Sequence, residues 1–170
     1  YPAVSGQPDI FFCMTPGRLI VAPDLPESYF LLLEQDHVRF KRGNRPSGIR
    51  HPASVHYNAA LSDHYLVHRL EYTDPAILET VHYLKKIPVK QGYTRCNLLL
   101  LKNNHFITSD PGINKTLREH GLDGIKVSPE GIVLPGFSNG FIGGTMGILG
   151  NTVFILGSLD QFPEGNRIRK

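Results

Sequence analysis

The chain has 170 residues, 41% of them hydrophobic, and it contains 17 glycines and 13 prolines. This composition favours one turn-rich globular core over a disordered or fibrous chain. The formal net charge is only +3, because 18 basic residues are offset by 15 acidic ones spread along the sequence, so nucleic acid is not expected as a partner.

The first predicted unit is a hairpin followed by a helix. Two apolar segments within residues 9–22 are separated by the turn Thr15-Pro16-Gly17, which is typical of a β-hairpin. Asp24 and Glu27 have the spacing of a capping box, which predicts a helix over residues 28–35. The polar segment 36–50 comes next and holds five basic residues, and we expect it to be a mobile loop with solvated charges.

The second unit repeats this order. Residues 54–70 read as a hairpin that turns at Ser62, and Asp74-Pro75 predicts the start of a helix, with Asp at the N-cap and Pro at the first helical position. Residues 87–90 then form a short predicted strand.

The third unit is the most regular. A hairpin over residues 98–108 turns at Asn103, Asp110 and Pro111 predict a capped helix, and that helix should end at Gly121. Further strands are predicted at 124–127 and 132–134. A fourth hairpin over residues 145–156 turns at Gly150-Asn151, and the sequence nearly ends there.

The four hairpin turns recur at a nearly constant spacing. They fall at Pro16, Ser62, Asn103 and Gly150, which are 46, 41 and 47 residues apart. A period of that size is typical of repeat architectures. We predict an α/β fold, a β/α-propeller of pseudo-symmetric ββαβ units that is apparently incomplete, although a solenoid or four unrelated hairpins would share the pattern. The predicted single domain divides into four repeats: 8–50, 51–90, 91–142 and 143–170.

Several strings in the second half resemble a known family. They are QGYTRC at 91–96, FITSDPGI at 106–113, GFSNGFIGG at 136–144 and GSLDQFPEGNRI at 157–168. Together they resemble bacterial proteins related to the guanidino-group-modifying superfamily of arginine and agmatine deiminases and amidinotransferases. The resemblance implies five pseudo-symmetric ββαβ units around a central site, with a cysteine nucleophile, a histidine and carboxylates.

The position of the cysteine departs from that pattern. In the characterised enzymes the nucleophile lies in the last unit, whereas this chain has no cysteine after Cys96 in its third unit. The resemblance therefore does not assign catalytic residues one by one.

Cys96 is the candidate nucleophile on chemical grounds. A cysteine attacks carbon as a thiolate, which requires a lowered pKa. Arg95 is adjacent, but neighbouring strand residues point to opposite faces, and His56 or His105 would have to serve as the base. The alternative is that Cys96 is a buried apolar residue at a strand start, as Cys13 is expected to be.

Polar residues at strand starts or glycine-rich approaches are the candidate binding residues. Asp9, Asn58, Gln91 and Asn139 share that placement, and such side chains would converge at the axial ends of propeller strands. Asp110 could bind a guanidinium group with both oxygens, but helix capping is the better explanation, because Asp110 precedes Pro111 as Asp74 precedes Pro75. Each of the five also has a purely structural reading.

Two classes of function remain open from the sequence. The first is a small-molecule-binding or structural relative of guanidino-modifying enzymes, and the second is a cysteine-dependent hydrolase or transferase acting on a guanidine, amidine or amide. No cofactor and no metal site are expected, since no zinc-type spacing of His and Cys occurs.

The expected partners are a small polar guanidine- or amide-containing ligand and, given the incomplete last unit, a second subunit. No membrane is expected, since apolar runs are shorter than the about 18 residues that span a bilayer. Two cysteines are too few for a disulfide framework, so we expect reduced thiols in a cytoplasmic protein.

Overall fold

The computed structural model describes residues 6–169 as a mixed α/β protein of four small sheets and few helices. The strands are Phe12–Thr15 (β1), Arg18–Val21 (β2), Phe40–Arg42 (β3), Ala60–Leu61 (β4), Tyr65–His68 (β5), Lys85–Pro88 (β6), Leu98–Leu100 (β7), His105–Thr108 (β8), Asp123–Lys126 (β9), Met146–Leu149 (β10) and Thr152–Ile155 (β11). The α-helices are Glu27–Gln35 (α1), Pro75–Thr80 (α2), Thr94–Asn97 (α3), Pro111–Glu119 (α4) and Gly165–Ile168 (α5).

Three of the four sheets have the same topology. Each consists of an antiparallel hairpin whose second strand pairs with a parallel third strand, and a helix connects those two strands. The fourth sheet is the hairpin β10–β11 alone within the part of the chain that is described. The four predicted hairpins and the ββαβ order of the first three units are confirmed.

A short helical turn precedes every hairpin, which the sequence did not predict. These entry turns are Pro8–Ile10 before β1, Ala53–Val55 before β4, α3 before β7 and Gly143–Thr145 before β10. The fourth entry turn packs tightly on α3, because a Cβ added at Gly143 would lie 2.4 Å from the main-chain oxygen of Arg95.

Two of the predicted helix caps are confirmed. Asp74 accepts a hydrogen bond from the amide of Ala76, and Asp110 accepts one from the amide of Ile113. Gly121 has a φ of +82° just after α4, as expected of a residue that ends a helix.

The predicted capping box at Asp24 is wrong. The N-cap of α1 is Pro26, and Asp24 instead accepts hydrogen bonds from the amide and hydroxyl groups of Ser47. Glu27, the other half of the predicted box, pairs with Arg42. Proline at the cap position fixes the entry angle of the chain and moves the start of the helix past the reach of the Asp24 side chain.

The segment 36–50 is more ordered than predicted. Three of its residues form β3, and the amides of Asn44 and Arg45 donate to the fully buried carboxylate of Asp74. Tyr57 donates to the same carboxylate, and burial together with Asp74 raises the pKa of this phenol. Asp74 therefore ties the segment to the second unit while it caps α2.

The strand predicted at 132–134 is also absent from the structure, where these residues have no regular secondary structure. The amide of Gly140 donates to the carbonyl of Ile132, and Pro135 directly follows the last residue of the predicted strand. The amide of Phe137 donates to the carbonyl of Leu134 across Pro135-Gly136, and Gly136 has a φ of +82°, so a tight turn begins where the predicted strand would end.

Buried side chains join each sheet to the next. Adjacent residues of one strand enter different clusters, because strand side chains alternate between the two faces of a sheet. The clusters pair the first and second sheets (Cys13, Ile20, Leu66, with Ile77 of α2), the second and third (Val67, Ile87, Leu98, Phe106, with Ile113 of α4), and the third and fourth (Leu99, Ile107, Met146).

The outer face of the β10–β11 hairpin is different, since it exposes Leu149, Phe154 and Leu156. Among the helices of residues 6–169, none has the length and apolar character needed to cross a membrane.

Candidate functional site

The entry turns bring three of the predicted site residues into contact. Asp9 lies in the first entry turn, Asn58 follows the second, and Cys96 lies in α3. The Cys96 Sγ atom is 3.1 Å from Asp9 Oδ2 and 3.2 Å from Asn58 Nδ2. We term these three residues the thiol–carboxylate cluster.

Asn58 holds the cluster together through both ends of its side-chain amide. Its Oδ1 accepts from the Cys96 amide at 3.1 Å, while its Nδ2 donates to the main-chain oxygen of Asp9 at 3.1 Å. Its own carbonyl accepts from the Arg95 amide at 2.9 Å. Asn58 is fully buried, so these bonds fix the orientation of the amide and link the first three units.

The Cys96 thiol is protonated in this arrangement. Burial raises its pKa well above the usual value, and the nearby Asp9 carboxylate raises it further. The thiol therefore donates its proton to Asp9 Oδ2, and it is fully shielded from solvent. Gln7 Oε1, which the sequence did not single out, lies 3.5 Å from the same sulfur. A thiolate nucleophile is not the resting state of this site.

Asp9 has one oxygen left over. Its Oδ2 accepts the Cys96 thiol, whereas its Oδ1 is buried and has no hydrogen-bond partner among residues 6–169. Buried carboxylate oxygens almost always have a donor, so an orphaned one calls for an explanation.

Asp9 also lines a cavity of about 320 Å³. The first strand of every hairpin contributes to its wall, through residues of β1, β4, β7 and β10. Met14 and Ile148 lie on this wall and are 68% and 44% exposed, so the cavity communicates with solvent. We term it the central cavity.

Arg95 is the other charged residue on the central cavity. Its guanidinium donates to the main-chain oxygens of Gly143 at 2.6 Å and Met146 at 2.7 Å, which ties α3 to the fourth hairpin. The strand predicted here would have pointed Arg95 away from Cys96. A helical turn removes that alternation, and the positive charge of Arg95 lowers the pKa of Cys96, although by less than burial raises it.

The remaining predicted site residues lie elsewhere. Gln91 Nε2 is 3.4 Å from Asp110 Oδ2, and both residues line a separate cavity of about 650 Å³ beside α4. Asp110 uses its other oxygen to cap that helix. Asn139 is exposed and, among residues 6–169, is not a hydrogen-bond partner of Cys96.

Neither histidine proposed as a base reaches the thiol among the described residues. His56 Nδ1 pairs with the Tyr72 carbonyl at 2.6 Å, and His105 is exposed at the start of β8. The group beside Cys96 is instead the carboxylate of Asp9. Over the same described range, no three His, Cys, Asp or Glu side chains group together as they would around a metal ion.

The structure is a mixed α/β protein whose thiol–carboxylate cluster, with Asn58 and Cys96 fully buried, lies beside the solvent-connected central cavity. The chain belongs to the family of unknown function DUF6873, whose family model matches residues 1–170. No curated protein matches the chain.

Proposed function

We propose that the protein binds a small polar molecule in the central cavity and that the ligand donates a hydrogen bond to Asp9 Oδ1. The observation that carries this proposal is a buried carboxylate oxygen without a partner among residues 6–169, on a residue that lines a solvent-connected cavity. A buried polar atom without a partner is unfavourable by about 1–3 kcal/mol. An N–H group of an amine, amidine, guanidine or amide would remove that penalty.

The proposal includes the propeller arrangement. Four first strands that share one cavity are what ββαβ units around a common axis would produce. Binding sites are also commonly concave, mostly apolar and equipped with a few polar groups, as this cavity is. The likeness to the guanidino-modifying superfamily remains a prediction that agrees with this arrangement.

The state of Cys96 favours binding over catalysis. A thiol that is fully buried and whose pKa is raised is a poor nucleophile. Both cysteines are free and buried, which suits a reducing compartment, and we propose a cytoplasmic location on that ground.

A cysteine-dependent hydrolase or transferase is the second candidate, and the hydrogen bond from Cys96 to Asp9 favours it. In such a reaction the thiol proton would pass to Asp9, the Cys96 sulfur would form a bond to the electrophilic carbon of a guanidine, amidine or amide, and the leaving amine would take the proton as its bond breaks. This route requires a bound ligand that lowers the thiol pKa.

Isothermal titration calorimetry with small amines, guanidines, amidines, amides and amino acids tests the binding proposal. At least one compound should bind the unchanged protein, and Asp9→Asn should weaken that binding at least tenfold. Asp63→Asn is the matched control, because Asp63 is exposed in the turn between β4 and β5. Failure of the whole panel to bind, or equal binding to the Asp9 variant, would overturn the proposal.

A further inference from the structure

We infer that the central cavity takes a small zwitterion, an α-amino acid with an apolar side chain, whose ammonium group bonds to Asp9 Oδ1 and whose carboxylate bonds to Arg95. This inference rests on the proposed function, because it names the ligand class for the same cavity.

Asp9 offers a ligand one oxygen rather than two. Its Oδ2 accepts the Cys96 thiol at 3.1 Å, so only Oδ1 is without a partner among residues 6–169. A guanidinium group pairs best with a carboxylate through two parallel hydrogen bonds, which requires both oxygens. An ammonium group is a point charge whose N–H can bond to a single oxygen. This single unpaired acceptor therefore fits an ammonium group better than a guanidinium group.

Arg95 offers a positive group on the same cavity. Two of its N–H groups donate to the carbonyls of Gly143 and Met146. A guanidinium carries five N–H donors, so three remain without a partner among residues 6–169. Those donors suit a carboxylate, since both groups are planar and oppositely charged.

Asp9 and Arg95 carry opposite charges on either side of one residue, because Asp9 Oδ2 is 3.1 Å from Cys96 Sγ and Arg95 directly precedes Cys96 in α3. Both Asp9 and Arg95 act electrostatically on the Cys96 thiol, with opposite effects on its pKa, and both line the central cavity. A ligand with only a positive charge would be attracted by Asp9 and repelled by Arg95. A ligand that carries both charges on one carbon atom complements both residues, as an α-amino acid does with its ammonium and carboxylate groups.

The rest of the wall determines the side chain. Apart from Asp9 and Arg95, the cavity is lined by apolar or weakly polar residues that include Phe12, Leu98 and Ile148. Its volume of about 320 Å³ is at the lower end of the range for ligand sites. An aliphatic amino acid such as leucine meets both conditions, whereas a second charged group would lose its hydration against an apolar wall.

Calorimetry with leucine and three matched compounds tests the inference on the unchanged protein. Isoamylamine lacks the carboxylate of leucine, isocaproate lacks its amino group, and isoamylguanidine replaces its charged end with a guanidinium. Leucine should bind at least tenfold more tightly than each of the others. Asp9→Asn should weaken leucine binding at least tenfold, and Asp63→Asn should leave it unchanged.

The outcomes separate this inference from the proposed function. If isoamylamine, isocaproate or isoamylguanidine binds as tightly as leucine, the zwitterion is wrong, although a small-molecule site remains. If none of these compounds and no member of the wider panel binds, both proposals fail. Arg95→Gln should weaken the binding of leucine more than the binding of isoamylamine, which has no carboxylate. Because that change also removes the bonds to the fourth hairpin, the ligand series on the unchanged protein decides the matter even if the variant unfolds.

Discussion

Acidification should destabilise the protein through His68, which joins the second unit to the segment that leads to Cys96. His68 is fully buried in β5, with Nδ1 2.8 Å from Thr73 Oγ1 and Nε2 2.9 Å from the carbonyl of Gly92. These partners fit a neutral ring that donates from Nε2 and accepts at Nδ1. Burial lowers the pKa of His68 from 6.5 to about 4.

The direction and size of the effect follow from that shift. Because the pKa is lower in the folded state, the stabilisation is fully present above 6.5 and is lost as the pH falls toward 4. One pKa unit corresponds to about 1.36 kcal/mol, so His68 should remove about 2 kcal/mol of unfolding free energy between about pH 8 and about pH 5. The other titrating groups contribute as well, and a variant is needed to isolate this residue.

Urea denaturation of the unchanged protein and of His68→Gln at both pH values measures the contribution. Glutamine keeps a donor and an acceptor but does not titrate. The stability difference between the two proteins should shift by about 2 kcal/mol in favour of the variant on going to the lower pH. His64→Gln, at an exposed position, should follow the unchanged protein. A shift below about 0.5 kcal/mol for His68→Gln would refute the assignment of a neutral, buried ring.

Three further predictions concern packing and the thiols. In the folded protein, Cys96 and Cys13 should both react with iodoacetamide at least a hundredfold more slowly than in urea, because both are buried and have raised pKa values. Rapid labelling of Cys96 near neutral pH would instead favour a cysteine-dependent enzyme. Asp74→Asn should lower the unfolding free energy by about 2–4 kcal/mol in urea titrations, because a buried carboxylate that accepts several donors loses its charge-assisted hydrogen bonds. A decrease in unfolding free energy below about 1 kcal/mol would contradict the role of Asp74 in tying the segment 36–50 to the second unit. Gly143→Ala should lower the unfolding free energy by about 2 kcal/mol or more, because the added Cβ would meet the backbone of α3. Gly147→Ala is the control: a Cβ there has open space, so the unfolding free energy should change by less than about 0.5 kcal/mol. Equal melting temperatures for the two variants would contradict the close packing of Gly143 on α3.

The hairpins and two helix caps could be predicted because their causes are local. Asn103 adopts a φ of 58° and Gly150 a φ of 61°, conformations that asparagine and glycine tolerate better than other residues. The Asp-Pro pairs at Asp74 and Asp110 carry both the cap and the first helical residue within two positions. Such signals need no information from distant parts of the chain.

The entry turn formed by α3 could not be predicted, because two of its amides bond to a residue far away in the sequence. The amide of Cys96 donates to the side chain of Asn58, which is 38 residues away in sequence. An apolar run after Cys96 suggested a strand start, and the tertiary bond made it a helical turn instead. That error in local structure is also why Arg95 was missed as a residue of the central cavity.

The residues of the thiol–carboxylate cluster could be grouped from the sequence only in part, because tertiary contacts decide which polar residues meet. Asp9, Asn58 and Cys96 lie together because polar residues that precede first strands converge, as expected of the repeat. Gln91 and Asp110 share their position in the sequence pattern but belong to the separate cavity beside α4. Sequence position alone does not determine which side of an entry turn a side chain occupies.

A crystal structure of the protein grown with the tightest-binding compound of the panel would show whether a ligand bonds to Asp9 Oδ1. We predict a ligand nitrogen about 2.7–3.2 Å from Asp9 Oδ1 inside the central cavity, with the Cys96 sulfur unmodified. A ligand seated beside Gln91 and Asp110, a covalent bond between the ligand and Cys96, or an Asp9 Oδ1 that meets only protein groups or water would contradict this prediction.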